Sequence, residues 1–272
     1  MEKVYPKSNN SFVYSCFSNS QWGYEQFIPH HTLAYQVSGE THFFHQKGTI
    51  VLKKNQILLA HRNQFAKSLK VLGNDNEYKA VSILLKSDDL KKYVALNGIE
   101  NERNYKGNYN IILKNDDFLT SYFKSLIPYI ERPELSNEKM NFLKIVEAIE
   151  ILKNIYPEVN SFLFDFTEPF KIDIEKFMNE NFKYNVPIEN FAKLTGRSLA
   201  GFKRDFIKTF NDPPAKWLKN KRLEEAYYLI HKKNKKPSDF YLELGFENLS
   251  HFYTSFKKKY GITPSESLTS NR

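Results

Sequence analysis

Over residues 10–85 the apolar positions fall into short blocks, 31–37, 41–45, 48–52, 56–60 and 79–85, separated by turn formers. Blocks of about five residues rich in Val, Ile, Phe and Tyr predict the strands of a small antiparallel β-barrel. Ser38-Gly39-Glu40, set between two such blocks, reads as a hairpin turn. From Asn115 the period becomes helical. Phe118, Tyr122, Leu126 and Ile130 fall four apart and are stopped by Pro133. Phe142, Ile145, Val146, Ile149 and Leu152 mark one face of a second helix, which opens near Ser136 and stops at Pro157. Two amphipathic helices after a barrel can cover its open side or pair across a dimer axis. Residues 158–169, with Phe162, Phe164 and Phe166 alternating, read as a partly packed connector.

Beyond the connector the chain repeats itself. A shift of 50 positions pairs Leu199 with Leu249, Phe202 with Phe252, Phe206 with Phe256, Phe210 with Tyr260, Pro214 with Pro264 and Leu218 with Leu268. Within each copy the first four positions have the i, i+3, i+7, i+11 spacing of a buried helical stripe, and the proline ends the helix. Upstream, a shift of 49 pairs Phe191 with Phe240 and Gly196 with Gly245. A short helix, a glycine turn and a second helix are the parts of a helix-turn-helix. Between the copies, residues 214–230 read as one linker helix of about 25 Å, packing through Trp217, Leu218, Arg222, Leu223, Ala226 and Leu229. The organisation is therefore α+β with two domains. An N-terminal antiparallel β-barrel with two helices, a dimerisation candidate, is expected over residues 1–165. An all-α tandem helix-turn-helix domain is expected over residues 166–272.

Charge adds a direction to this layout. Of the net +9, residues 1–169 carry 20 Lys and Arg against 19 Asp and Glu, whereas residues 170–272 carry 20 against 12. A basic segment beside a neutral one suggests a polyanionic partner, nucleic acid before membrane, although a solvated lysine-rich surface gives the same total. A single cysteine, Cys16, leaves no internal disulfide or thiolate zinc cluster to build. No apolar run is long enough to cross a bilayer, and the expected compartment is the cytoplasm.

Residues 170–268 resemble the two-helix-turn-helix DNA-binding domain of the AraC/XylS family of bacterial transcription regulators. The resemblance rests on Phe191-Ala192 with Gly196 and Ser198; on Phe202 to Phe206 with Phe210; and on Arg222-Leu223 with Ala226. It is most specific at Gly245-Phe246-Glu247-Asn248 through Phe252, Phe256-Lys257, Tyr260-Gly261 and Thr263-Pro264. The strands flanking Ser38-Gly39-Glu40 also resemble the cupin-like sensor barrel of such regulators. The resemblance implies double-stranded DNA as partner and control through the N-terminal domain by a small molecule or a protein. RNA polymerase and a second copy of the chain are further expected partners; no cofactor or membrane is implied.

With the phenylalanine stripe facing inward, the first recognition helix exposes Ala200, Lys203, Arg204 and Lys208. Arg204 is the leading base reader, because its planar fork matches the O6/N7 edge of guanine. Ala200 and Lys203 are further base-edge candidates, Lys203 suiting a phosphate as well, and Lys208 and Ser198 suit phosphates. The second helix offers Ser250, His251 and Thr254 to bases and Lys257 and Lys258 to phosphates, with Lys259 as readily a solvated helix end. Thr254 stands where the family commonly has arginine. Tyr241 stands where it usually has alanine, so a bulky ring must be repacked or partly exposed there.

A different class of function competes. Cupin-like barrels also house metal-dependent enzymes, and His30, His31, His42, His45 and His61 lie in the barrel with Glu40 among them. His42 and His45, three apart on one strand, point to opposite faces, and no His-x-His pair is followed by a suitably spaced Glu. Polar strand histidines are the preferred reading over a metal-dependent cupin enzyme fused to a nucleic-acid-binding domain. Cys16 reads as a small core residue in preference to a reactive thiol. RNA binding is disfavoured because the aromatic residues of the repeat sit on its buried stripe.

Overall fold

Residues 3–5, 11–23, 27–45, 48–100, 105–114, 116–167 and 171–269 are described by the computed structural model, and the chain divides into two units, Met1–Thr167 and Glu168–Arg272. Asn115, where the helical pattern starts, lies outside the described residues. In the first unit the strands are β1 (Lys3–Tyr5), β2 (Phe12–Phe17), β3 (Gln21–Trp22), β4 (Phe27–Ile28), β5 (His31–Ser38), β6 (Glu40–His45), β7 (Gly48–Leu52), β8 (Ile57–Ala60), β9 (Gln64–Val71), β10 (Tyr78–Leu85) and β11 (Asn110–Leu113). All their ladders are antiparallel. One sheet runs β1-β2-β10-β5-β8-β11; the other runs β3-β9-β6-β7, with β4 also on β9. Among the described residues no ladder joins the two sheets, so the barrel is open. Phe43, Leu52, Leu58, Ala60 and Ala66 from both sheets pack in one cluster.

Ser38-Gly39-Glu40 is not a hairpin turn. β5 pairs with β8 and β10, while β6 pairs with β7 and β9, so the chain passes at Gly39 from one sheet to the other. Gly39 adopts φ +74°, and a Cβ there would lie 2.4 Å from the Val71 carbonyl oxygen. The corner requires a left-handed residue without a side chain.

Among the described residues five α-helices accompany the sheets: α1 (Ser87–Asn97), α2 (Asp117–Ser125), α3 (Ile127–Glu131), α4 (Glu138–Ile155) and α5 (Val159–Phe164). The first expected helix is thus broken near Leu126, just before Pro128, whose ring cannot continue the preceding turn. Phe118 faces solvent at 74% exposure; Leu119, Tyr122 and Phe123 form the buried face instead. The N-cap of α2 explains this phase, since the Asp116 carboxylate accepts from the Phe118 and Leu119 amides. The α4 helix opens at Asn137, which accepts from the Met140 amide at 3.0 Å. Within the stretch read as a connector, residues 159–164 form α5, with Val159, Phe162, Leu163 and Phe164 buried, and Glu168 and Pro169 lie outside the described residues. Leu33, Tyr35, Ile57, Leu59, Val81 and Ile83 of the larger sheet share one core with Tyr122, Phe123, Ile145, Ile149, Leu152 and Phe162. The helices therefore cover the sheet.

The second unit is all-helical: α6 (Ile174–Asn181), α7 (Ile188–Leu194), α8 (Leu199–Phe210), α9 (Pro214–Lys233), α10 (Pro237–Phe240), α11 (Leu249–Tyr260) and α12 (Pro264–Thr269). Helix α6, absent from the sequence reading, is capped by Asp173, which accepts from the Lys176 amide at 2.9 Å, and buries Ile174, Phe177 and Met178. Helix α12 opens with a reciprocal capping box: Thr263 Oγ1 accepts from the Glu266 amide, and the Glu266 carboxylate accepts from the Thr263 amide. Donation from the Thr263 amide, and after it from the Thr263 hydroxyl, holds the Glu266 carboxyl below its ordinary range.

Candidate nucleic-acid interface

The duplicated stripe builds two equivalent readers, α7 with α8 and α10 with α11. Phe202, Phe206, Phe252 and Phe256 are fully buried. Gly196 at φ +65° and Gly245 at φ +83° occupy the matching turns. Both recognition helices are capped alike, Ser198 Oγ accepting from the Gly201 amide at 3.2 Å and Asn248 Oδ1 from the His251 amide at 2.8 Å. Both end in a left-handed residue, Asn211 and Gly261. With their inner faces fixed in this way, the outer faces follow from the helical period.

On α8 the side chains of Ala200, Lys203, Arg204 and Lys208 are exposed, as is the cap Ser198. The Arg204 side chain is 78% exposed and only 3.5 Å from Asp205 Oδ1, a surface pair that holds it weakly. Asp205 has stronger attachments: Arg197 Nε donates to it at 3.1 Å and Lys171 Nζ lies at 3.3 Å. The Arg197 side-chain bond, first among these, holds the Asp205 carboxyl below its ordinary range. Arg197 also donates to the Ile172 and Thr195 carbonyls, so it braces the turn and leaves Arg204 as the outward arginine of this reader.

On α11, Ser250, His251, Thr254, Lys257 and Lys258 are exposed. The Thr254 hydroxyl donates to the Ser250 carbonyl at 3.0 Å, which leaves it acceptor capacity towards a base but no free proton. Lys259 turns away, its ammonium bonded to the Asn220 carbonyl at 3.1 Å and to Glu224 Oε1 at 2.9 Å. Tyr241 is half-buried against the Phe240, Phe252 and Phe256 cluster, so its ring is accommodated by partial exposure.

The linker helix α9 extends to Lys233, about 30 Å, and is more than a spacer. At one end Trp217 packs at a tilt against Phe210 with centroids 4.5 Å apart; at the other Leu223, Ala226 and Ile230 enter the core of the second reader. Midway, Arg222 is largely buried. Its Nε donates to the Phe182 carbonyl at 2.8 Å, Nη2 to the Tyr184 carbonyl at 2.8 Å, and Nη1 to the Gly245 carbonyl at 3.1 Å and to Asn185 Oδ1 at 3.4 Å. Burial brings its pKa down to about 10, so it stays charged at neutral pH. Sequence reading placed Arg222 only on a packing face, because its acceptors, mainly backbone carbonyls distant in sequence, leave no residue-type signature.

The barrel histidines do not share one environment. His42 Nε2 lies 3.2 Å from Glu40 Oε2 at the surface. His31 and His61 are not the polar strand residues expected; both are buried, with ring centroids 4.5 Å apart, and both pack on Phe162. Tyr105 and Tyr109 stack on His61. The Arg62 amide donates to His31 Nδ1 at 3.4 Å, and His61 Nδ1 bonds the Arg62 carbonyl at 2.8 Å. Neither Nε2 has a hydrogen-bond partner among the described residues. Burial drives the His31 pKa well below its ordinary value and that of His61 down to about 4, so both rings are neutral. Among the described residues no three His, Cys, Asp or Glu side chains converge as metal ligands. Cys16 is only half-buried, on β2 between β1 and β10, and so is not the core residue expected.

These features define a two-domain protein: an N-terminal antiparallel sheet domain and a C-terminal tandem helix-turn-helix domain. Residues 191–270 match the helix-turn-helix domain family, and residues 31–156 match the ExsA N-terminal regulatory domain family. Over these two segments the chain is similar to transcription regulators of the AraC/XylS family. It is 30% identical over 93 residues to the virulence regulon transcriptional activator VirF of Yersinia enterocolitica, a match that spans 34% of each chain. It is 24% identical over 191 residues to the HTH-type transcriptional activator RhaS of Mannheimia succiniciproducens, spanning 68% of each. Apo ToxT from Vibrio cholerae, a substituted form, aligns over 97% of this chain and 99% of its own with a TM-score of 0.46 and 14% identity. Among the described residues no helix is long and apolar enough to cross a membrane.

Proposed function

We propose that the chain is a sequence-specific DNA-binding transcription regulator that grips promoter DNA with two helix-turn-helix units and is controlled through its N-terminal unit by a small molecule or a partner protein. One observation carries this reading: two recognition helices with the same buried stripe, cap and glycine turn both turn hydrogen-bonding and cationic side chains outward, in the half of the chain that holds nearly all the excess positive charge. Arg204 reads a base edge, Lys203 and Ala200 flank it, and Lys208 and Ser198 hold phosphates. Ser250, His251 and Thr254 face bases from the second helix, while Lys257 and Lys258 neutralise the backbone. VirF and RhaS are activators, which favours activation over repression. The N-terminal unit acts as sensor, with RNA polymerase and a second copy of the chain as further partners, in the cytoplasm, and without an enzymatic role.

Genome-wide mapping of bound sites with the full chain, followed by footprinting, tests this. The expected pattern is promoter-proximal protection of two successive major-groove segments on one side of the duplex, about 34 Å apart. Binding no tighter to mapped sites than to scrambled DNA at physiological salt would overturn it.

A further inference from the structure

The linker helix packs into both readers, through Trp217 at one end and Leu223, Ala226 and Ile230 at the other, and a second tie joins them directly. The tie lies at the loop 182–185, which leads into the first reader, and at Gly245, the turn of the second. Arg222 donates to carbonyls on both sides, Phe182 and Tyr184 on one and Gly245 on the other. The two backbones are close: a Cβ on Gly245 would lie 2.6 Å from the Lys183 carbonyl oxygen and 3.1 Å from Arg222 Cζ. Two outer contacts flank this centre, Lys183 Nζ to Glu225 Oε1 at 3.3 Å and Asn185 Nδ2 to Glu247 Oε1 at 3.3 Å. A cleft of about 260 Å³ opens beside it, lined by Arg222 and Gly245 themselves, with Ile188 of the first reader, Leu218 of the linker helix, and Phe246 and His251 of the second.

We infer that Arg222 is a specificity-determining positioning residue: by bonding the entry loop of the first reader to the turn of the second, it fixes the half-site spacing that the protein accepts on DNA. The inference rests on the proposed DNA-binding role. A planar guanidinium suits the task because its donors leave in fixed directions, so bonds to carbonyls on two segments set both distance and angle. Packing on the linker helix sets the separation, and the guanidinium bonds add a second, directional constraint away from its axis. One inserted base pair turns a half-site by about a tenth of a helical turn, and a rigid pair of readers cannot follow.

Selection of the full chain on a random-sequence double-stranded DNA library reads this out. The wild type should enrich paired half-sites of one spacing and lose about tenfold or more in affinity when one base pair is inserted between them. Arg222→Met should enrich several neighbouring spacings and lose less than about threefold on the same insertion, whatever its absolute affinity. A merely structural role would lower affinity at all spacings and leave the ratio unchanged, which would overturn the inference. If circular dichroism shows that Arg222→Met has lost its helices, the paired change Asn185→Ala with Glu247→Ala, on a half-buried and an exposed side chain, decides instead. It should widen the accepted spacings, and an unaltered ratio would count against the tie. A wild type that enriches single half-sites also refutes it. A wild type that enriches no sequence brings down the DNA-binding reading itself.

Discussion

The two units bury basic side chains in opposite ways. In the N-terminal unit His31 and His61 lie against aromatic rings, their Nε2 atoms without a hydrogen-bond partner among the described residues, and burial keeps them neutral. In the C-terminal unit Arg222 remains charged, each of its three nitrogens donating to a neutral acceptor. Desolvation penalises both, but imidazole can escape by giving up its proton, whereas guanidinium cannot and must be supplied with partners. The first arrangement is therefore exposed to acid, and the second to the loss of its donor.

Removing that donor should break the comparison most severely. Arg222→Ala leaves buried carbonyls without their donor and should cost the C-terminal unit about 4 kcal/mol. Trp217 lies in that unit and Trp22 in the other, so single Trp→Phe variants let fluorescence follow each unfolding separately. The Trp217 transition should shift in denaturant while the Trp22 transition stays in place; a shared shift would mean that the units do not unfold independently.

Acid should act on the other unit. As pH falls below the ordinary histidine value of about 6.5, the unfolded chain takes up protons that folded His61 refuses until about pH 4. Stability is thus fully present above pH 6.5 and declines through this window, by about 3 kcal/mol for His61 alone, with His31 acting in the same direction. The Trp22 transition should weaken between pH 7 and pH 4, and His61→Phe should flatten that dependence. Equal acid sensitivity at Trp217 would refute the contrast.

The exposed cations of the C-terminal unit sharpen it further. Arg204→Ala should reduce discrimination between cognate and scrambled DNA by about 2 kcal/mol. Equal loss on every sequence would remove its base-reading role. The smallest effect is expected at Lys258: alanine should weaken binding to both DNAs and lower the slope of log affinity against log salt by about 0.9 at most.

What the sequence made legible followed from periodicity. Phe202, Phe206, Phe252 and Phe256 repeat at helical spacing and are buried as that spacing requires, and the outer-face residues follow by rotation. Periodicity had less to offer where a contact rather than a pattern decides. Gly39 looked like a hairpin glycine because strands flank it, yet the pairing partners of β5 and β6 lie elsewhere in the chain. His31 and His61 looked polar because imidazole is polar; their burial depends on Phe162, Tyr105 and Tyr109, remote in sequence. Helix α6 did carry a local signal, Asp173 ahead of Ile174, Phe177 and Met178, which the repeat one step downstream overshadowed.

The neutral acceptors around Arg222 have a consequence for behaviour in salt. Mobile ions weaken attractions between exposed charges, and contacts of Lys208, Lys257 and Lys258 with phosphates would fade as ionic strength rises. Bonds from a buried guanidinium to backbone carbonyls involve no opposing ion to be screened. The protein should therefore dissociate from DNA in concentrated salt with its internal ruler intact, and on dilution re-engage at the same register without first having to rebuild it.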